Sequence, residues 1–294
     1  MPHARQRLRY LIMLAAALLS SCTMSQSPNA SSAPTEDSRI SHAAQLYTVR
    51  HELQSDFATT LRRVAALGYQ EIELAGLFDQ DPAHVRSMTD ALDLQILGSH
   101  ITWKRLRDDP DGLIEETRIL GAEYMILAWL PVEERQTLAQ WETWIEIIND
   151  VARRAHQQGI RFAYHNHEFE FEPIDGIEPY DLLLAGVDRR YVSFELDLYW
   201  LTFAGRSPEP YFQAYPGGFP LIHAKDMDVQ TTAMVDAGDG RIDFPAVLQQ
   251  SELAGITHLI AEHDVSSDPF RTLRRSLAYF QSFHSQSPPV QRRR

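Results

Sequence analysis

From His42 to Phe283 the chain alternates without interruption between short apolar runs and stretches of helical periodicity, and no other feature restricts its fold as much. Eight runs read as strands: Ala43–Thr48, Gln70–Leu74, Leu94–Ser99, Glu123–Ala128, Arg161–His165, Tyr191–Leu196, Phe219–Ala224 and His258–Ala261. The helices predicted after them cover Asp56–Leu67, Pro82–Leu92, Asp111–Leu120, Arg135–Gln158, a short piece at Tyr180–Leu184, Glu209–Ala214, Asp243–Ser251 and Asp268–Phe283. Asp and Pro open several of them, and Gly68, Gly121 and Gly159 close three. Each signal has a backbone cause. A carboxylate caps free N–H groups, proline needs no N–H in the first turn, and glycine accepts the left-handed turn that ends a helix. Strands joined by helices run parallel, and eight such units in about 245 residues match the size and rhythm of a (β/α)₈ TIM barrel. An open doubly wound sheet shares the local pattern but rarely runs to eight unbroken units in this length.

Strands of a parallel barrel are buried on both faces, so ionisable groups belong at their ends, and chemistry gathers at the C-terminal ends. Four successive strands end that way here. The fifth runs through Phe162-Ala163-Tyr164 into His165-Asn166-His167-Glu168, and the sixth through Val192-Ser193-Phe194 into Glu195-Leu196-Asp197. The seventh passes from Leu221-Ile222 into His223, Ala224 and Lys225; the eighth passes from Leu259-Ile260-Ala261 into Glu262-His263-Asp264. Any one of these groups alone reads as a hydrogen-bonded cap. Together, one per strand, His165, Asp197, His223 and Glu262 form a ligand set for a single divalent ion: Mn, Zn, Co, Fe or Mg. The only cysteine, Cys22, precedes the barrel, which excludes a thiolate site.

Lys225 lies two residues after His223, on the same side of its strand. It is expected either to hold a substrate oxygen or to form a buried ion pair with Glu195 or Asp226. His100, at the end of the third strand, reads as a substrate contact or proton carrier. Gln45 and Glu73 on the first two strands are candidate hydroxyl ligands or members of a packing network. Trp103, Trp129, Tyr199 and Trp200 follow strand ends, where aromatic faces stack on sugars or pack beneath loops.

The ends of the chain read differently. Arg5, Arg7 and Arg9 precede the apolar run Leu11–Leu19, too short to span a bilayer, and Ser20-Ser21 lead to Cys22. This is the pattern of a signal peptide over residues 1–21. Leu19-Ser20-Ser21-Cys22 resembles the bacterial lipobox, which implies lipid attachment at Cys22 and a membrane-anchored protein of the cell envelope. Residues 22–41, rich in Ser, Asn, Pro and Ala, read as a flexible tether; 42–286 as the barrel; 287–294 as a disordered basic tail. The formal charge is −13, with arginines crowded at the two ends. An acidic fold without a basic stripe argues against nucleic acid as a partner, while a small-molecule sugar or keto-sugar, or a phosphate where local cations compensate, can still bind.

Six segments in order carry a resemblance: Ala44-Gln45-Leu46-Tyr47-Thr48-Val49-Arg50, Tyr164-His165-Asn166-His167-Glu168-Phe169-Glu170-Phe171, Glu195-Leu196-Asp197-Leu198-Tyr199-Trp200, His223-Ala224-Lys225-Asp226-Met227, Gly238-Asp239-Gly240-Arg241-Ile242-Asp243-Phe244 and Glu262-His263-Asp264. With them the chain resembles the sugar phosphate isomerase/epimerase group of xylose isomerase-like TIM barrels, within the AP endonuclease family 2 superfamily. The resemblance implies a metal held by Asp197, His223 and Glu262. Strand five departs from the pattern: many relatives carry glutamate where this chain has His165, so the fourth ligand is His165 or, reaching in from the loop, Glu168.

Isomerising or epimerising a sugar begins with removal of a proton from carbon beside a carbonyl, and the enediolate that forms carries charge on two oxygens. Glu262, His165, His167 and Lys225 are the catalytic candidates; Gln45, Glu73, His100, Trp103, Glu168 and Trp200 are the substrate-binding candidates. The same abstraction starts β-elimination, so a keto-sugar or 3-keto-glycoside lyase or hydratase is the close alternative. A non-catalytic sugar-binding lipoprotein is the second. An endonuclease of the same superfamily is opposed by the acidic charge.

Overall fold

The computed structural model describes residues 40–285. Its strands, in chain order, are β1 (Ser41–Gln45), β2 (Glu71–Leu74), β3 (Gln95–Ile101), β4 (Tyr124–Leu127), β5 (Arg161–His165), β6 (Val192–Asp197), β7 (Leu221–His223), β8 (Asp226–Met227), β9 (Met234–Val235) and β10 (His258–Ala261). β1–β7 and β10 close into an eight-stranded parallel barrel, β1 pairing with both β2 and β10, while β8 and β9 form a short antiparallel ladder. The expected TIM barrel is the observed architecture. The expected signal peptide, Cys22, the tether up to residue 39 and the basic tail lie outside the described residues. β1 begins at Ser41, one residue inside the stretch read as tether.

Local chemistry explains where the boundaries differ from the sequence reading. The first strand stops at Gln45 because the Gln45 side chain accepts a hydrogen bond from the Tyr47 N–H (2.9 Å) and turns Leu46–Val49 into a 3₁₀ helix. Thr137 and Gln140 form a reciprocal capping box, so the long helix starts at Leu138 rather than Arg135. Short helices at Arg50–Ser55, Trp103–Asp108 and Leu198–Phe203, together with the β8–β9 ladder, have too few residues to show a period in the sequence. The helix expected at Asp243–Ser251 is two pieces, Phe244–Leu248 and Ser251–Ala254.

The interior of the barrel is layered. Ala43, Leu97, Tyr124, Ile126, Ala163, Leu221 and Ile260 form an apolar cluster of their own inside the staves, separate from the larger core between strands and helices. Side chains two residues apart on a strand point the same way. The positions after Ala43, Ala163, Leu221 and Ile260 are therefore Gln45, His165, His223 and Glu262, all buried, one level nearer the C-terminal mouth. A fully buried leucine such as Leu221 contributes about 1.5–3 kcal/mol, so the lower level is self-supporting. The level above it is not.

Candidate metal centre and active site

Strand register brings the polar ends to one height. His165 pairs with Glu195 across β5 and β6, Asp197 pairs with His223 across β6 and β7, and Glu262 follows the last residue of β10. Their side chains form two interlocking groups of donors. In the outer group Asp197, His223 and Glu262 each offer one atom, all within 4.8 Å of one another; in the inner group His100, His165, Glu195 and His223 do the same.

His223 belongs to both. Its Nδ1 lies 2.7 Å from Glu262 Oε2 and 3.8 Å from Asp197 Oδ2, and its Nε2 lies 2.8 Å from Glu73 Oε1 and 3.1 Å from Glu195 Oε2. His165 likewise turns Nε2 toward Asp197 Oδ2 (3.9 Å) and Nδ1 toward Glu195 Oε2 (3.1 Å).

The outer group fits a divalent ion on two counts. Among the described residues Asp197 Oδ2, His223 Nδ1 and Glu262 Oε2 are buried and form no well-aligned hydrogen bond, and the Lys225 ammonium beside both oxygens is shared with Asp264; three carboxylates around one ammonium leave negative charge that a divalent cation balances. Two ligands each about 2.1 Å from one ion lie at most about 4.2 Å apart; the separations of 2.7 and 3.8 Å from His223 Nδ1, and of 3.9 Å between His165 Nε2 and Asp197 Oδ2, meet that limit. Asp197, His223 and Glu262 therefore converge as the sequence requires.

Charge in this pocket is strongly redistributed. Burial alone would neutralise Lys225, yet Asp197, Glu262 and Asp264 hold its ammonium charged, with Nζ 3.0, 2.8 and 2.9 Å from their oxygens. The expected partners Glu195 and Asp226 are not the ones used. Lys225 sits one level above Glu195, and Asp226, the next residue, faces away and accepts backbone N–H bonds from Met227, Gly238, Gly240 and Ile242 (2.8–3.0 Å). Burial raises Asp197 to about 6 against the pull of Lys225 and His223. Burial also opposes an ionised Glu262, but Lys225 and His223 hold it below the usual carboxylate range. Desolvation, then the neighbouring imidazole of His223, pushes His165 well below the usual histidine value; desolvation, then Lys225, takes His167 down to about 3. His100 goes the other way: burial disfavours its charge, but the Glu73 carboxylate and bonds to Glu195 and Glu73 lift it to about 9.

A ring of supports holds these groups. Asn166 Oδ1 accepts from the Asp197 N–H (2.9 Å) and ties β5 to β6. Asp197 Oδ1 caps the next helix through the Trp200 N–H (2.9 Å), which turns Oδ2 toward His223 and Lys225. Glu170 accepts from the His167 N–H and the Tyr164 hydroxyl, both at 2.7 Å, and so folds the loop that carries His167.

The substrate-binding candidates separate. Gln45 and Glu73 are fully buried and bonded to each other (Nε2 to Oε1, 2.6 Å), and Glu73 also meets His100 (3.0 Å). They present no surface to the mouth and act as supports, a role made possible by Gly98, where a side chain would crowd Ile126 (2.6 Å) and Glu73 (3.2 Å). Trp103 packs edge-on against Trp144 (6.3 Å between ring centroids), away from the mouth, because the Thr102 cap starts a helix that turns the ring aside. Glu168 is half-buried and joins neither donor group. Trp200 stands 5.6 Å from the His167 ring, beside the site. His100, His165, His167, Lys225, Glu262 and Asp264 line one cavity of about 510 Å³.

Glu195, Asp264 and Glu170 have parts in this site that sequence reasoning did not assign. Alternation within β6 was the available signal for Glu195, since it faces the same way as Asp197. Asp264 stands in the same relation to Glu262.

Comparison with known proteins agrees with the fold. An inosose dehydratase of Geobacillus kaustophilus (strain HTA426) is 23% identical over 225 residues, covering 63% of this chain and 72% of that protein. A sugar phosphate isomerase/epimerase of Parabacteroides distasonis ATCC 8503 superposes with a TM-score of 0.70 at 25% identity, covering 85% of this chain and 96% of the other. The IolI protein, whose crystal structure holds a zinc atom, shares the fold with a TM-score of 0.67 at 16% identity, over 84% of this chain and 100% of its own. The sequence profile of the xylose isomerase-like TIM barrel matches residues 61–283, and the chain belongs to that family.

Proposed function

We propose that the protein is a divalent-metal-dependent sugar isomerase or epimerase that removes and returns a proton on carbon beside a carbonyl. The observation that carries this reading is the convergence of Asp197, His223 and Glu262, buried with one ligand atom each within 4.8 Å of the others, beneath a cavity lined by imidazoles and carboxylates. The zinc of the structurally similar IolI protein supports an ion in such a barrel.

Asp197, His223 and Glu262, with His165 Nε2, would hold the ion, which supplies charge stabilisation for the oxygens of an enediolate. Lys225, held charged by three carboxylates, donates a hydrogen bond to a developing oxyanion; an ammonium so held is no nucleophile. His167 stays unprotonated at neutral pH and presents a lone pair that accepts the proton, the part His165 would take only with its Nε2 off the ion. Glu262, which also lines the cavity, flanks the substrate from the opposite strand.

Dehydration or β-elimination is the second reading, favoured by the similarity to an inosose dehydratase. After the same abstraction, the C–H electron pair becomes the C=C bond and a hydroxyl or alkoxide leaves the next carbon, taking the proton back from the histidine that abstracted it. The Leu19-Ser20-Ser21-Cys22 motif supports an envelope location, which labelling with a lipid precursor tests in a Cys22→Ser comparison.

Incubating the metal-loaded protein with free and 3-keto sugars in D₂O separates these readings by NMR. Deuterium at one carbon without elimination supports the isomerase; an enone or a released leaving group supports the lyase. Tight sugar binding with no exchange on any substrate would overturn both and leave a binding module.

A further inference from the structure

Half of the cavity wall has no part in the chemistry above. Where β5, β7 and β10 supply ionisable groups, the ends of β1, β2 and β4 supply Tyr47, Ala75, Gly76, Ala128 and Trp129. Trp129 sets this half apart. Of the five tryptophans, Trp141 and Trp144 donate their indole N–H groups to backbone carbonyls, Trp103 packs on Trp144, and Trp200 packs on Tyr199 and Phe203. Among the described residues Trp129 makes no ring contact and no side-chain hydrogen bond, and it is 45% exposed. Tyr47 is 42% exposed and has the Arg50 guanidinium 4.1 Å above one ring face.

Small residues line the same cavity beside these rings. Gly76 has φ +104°, and a side chain there would meet no atom within 4 Å. Ala75 and Ala128, the first residues past β2 and β4, add only methyl groups.

Size points the same way. A free hexose has about 12 heavy atoms and occupies on the order of 200 Å³ at organic-crystal packing, less than half of the 510 Å³ available. Leaving a large apolar ring half exposed beside a ligand site forgoes burial that a bound ligand recovers.

We infer that the substrate is a glycoside: its keto-sugar ring lies over the Asp197–His223–Glu262 group, and its aglycone lays an apolar face on Trp129 and Tyr47. The aglycone face is either an aromatic ring or the C–H face of a second sugar, both of which stack on an indole. This inference rests on the proposed sugar chemistry, but its test reads binding rather than turnover.

Binding of phenyl glucoside, cellobiose and methyl glucoside to the metal-loaded protein is followed by tryptophan fluorescence and by calorimetry. Phenyl glucoside, cellobiose or both bind about three- to tenfold more tightly than methyl glucoside, the value of one ring stacked on another, and which of them does so identifies the aglycone. Trp129→Ala brings the ratio close to one, and Trp129→Phe restores part of it. Because each ratio is taken within one protein, a general loss of affinity cancels, and the position of Trp129 outside any ring contact is expected to keep the variant folded, which circular dichroism checks. Equal binding of all three ligands to the unaltered protein, or a ratio unmoved by Trp129→Ala, overturns the inference. Deuterium exchange into a free keto-sugar with equal glycoside binding would leave the proposed chemistry standing and this inference refuted; glycoside discrimination without exchange would do the reverse.

Discussion

Ala43, Ala163, Leu221 and Ile260 fill one level of the barrel interior with apolar atoms, whereas Gln45, His165, His223 and Glu262, two residues further along the same four strands, fill the next with polar and charged groups. Backbone geometry and burial are alike at the two levels. Their energetics are opposite. Apolar atoms removed from water stabilise the fold outright, while buried charges stabilise it only when each finds a partner. The upper level meets that demand incompletely by itself, which is why its free oxygens and nitrogens mark a site and the lower level marks only a core.

The largest effect is expected from the atom that joins both donor groups. His223→Ala removes Nδ1 from the outer group and Nε2 from Glu73 and Glu195. It should lose the bound metal, measured by elemental analysis, and lower deuterium exchange by about a thousandfold or more, the scale of several kcal/mol of lost charge stabilisation. A variant that kept one equivalent of metal and its exchange rate would break the contrast between the levels. The residue two positions earlier sharpens the same contrast: Leu221→Ala should cost about 2–5 kcal/mol in urea unfolding and leave the metal content at one equivalent.

A third substitution addresses the support beneath the ligands. Glu73 accepts from His223 Nε2 and so fixes which nitrogen faces the outer group. Glu73→Gln should weaken metal binding about 10–100-fold in a chelator competition while the thermal midpoint of the metal-free protein changes little. Unchanged affinity would make Glu73 a packing group only.

The barrel itself was legible because its signal is repeated: eight periods, each with its own cap or glycine. So was the outer donor group, since Asp197, His223 and Glu262 sit at equivalent strand ends. What escaped the sequence was of two kinds. Whether Gln45 and Glu73 face the mouth or lie below it depends on a level inside the barrel, and a polar residue on an inward position reads the same at both. Partners that meet across the barrel are the second kind: Glu73 with His223, or His100 with Glu195, join strands whose relative height only the closed register sets. The Tyr164–Phe171 motif lies between these cases. Its histidines were readable as chemistry, but the work of Asn166 and Glu170 in holding them shows only in the hydrogen bonds.

Glu170 offers the smallest and cleanest test of what burial demands of a polar group that has no cation. Burial lifts its carboxyl from an ordinary 4.5 to about 8, against the bonds from Tyr164 and the His167 N–H. A raised carboxyl binds a proton in the folded state that the unfolded chain has released, so its contribution to stability is present below pH 4.5 and is lost as the pH climbs to 8. His167 works in a different window: its value falls from 6.5 to about 3, so the stability it contributes is lost as the pH drops below 6.5. Between pH 6.5 and 8, then, only Glu170 of this pair titrates. Glutamine reproduces the protonated acid, its oxygen accepting from the His167 N–H and its amide donating toward the Tyr164 oxygen. Glu170→Gln should therefore already exceed the unaltered protein in urea unfolding at pH 6.5, with the margin widening toward pH 8. If the two curves stay parallel across that window, Glu170 is ionised throughout, and the upper level tolerates a buried charge that no cation balances.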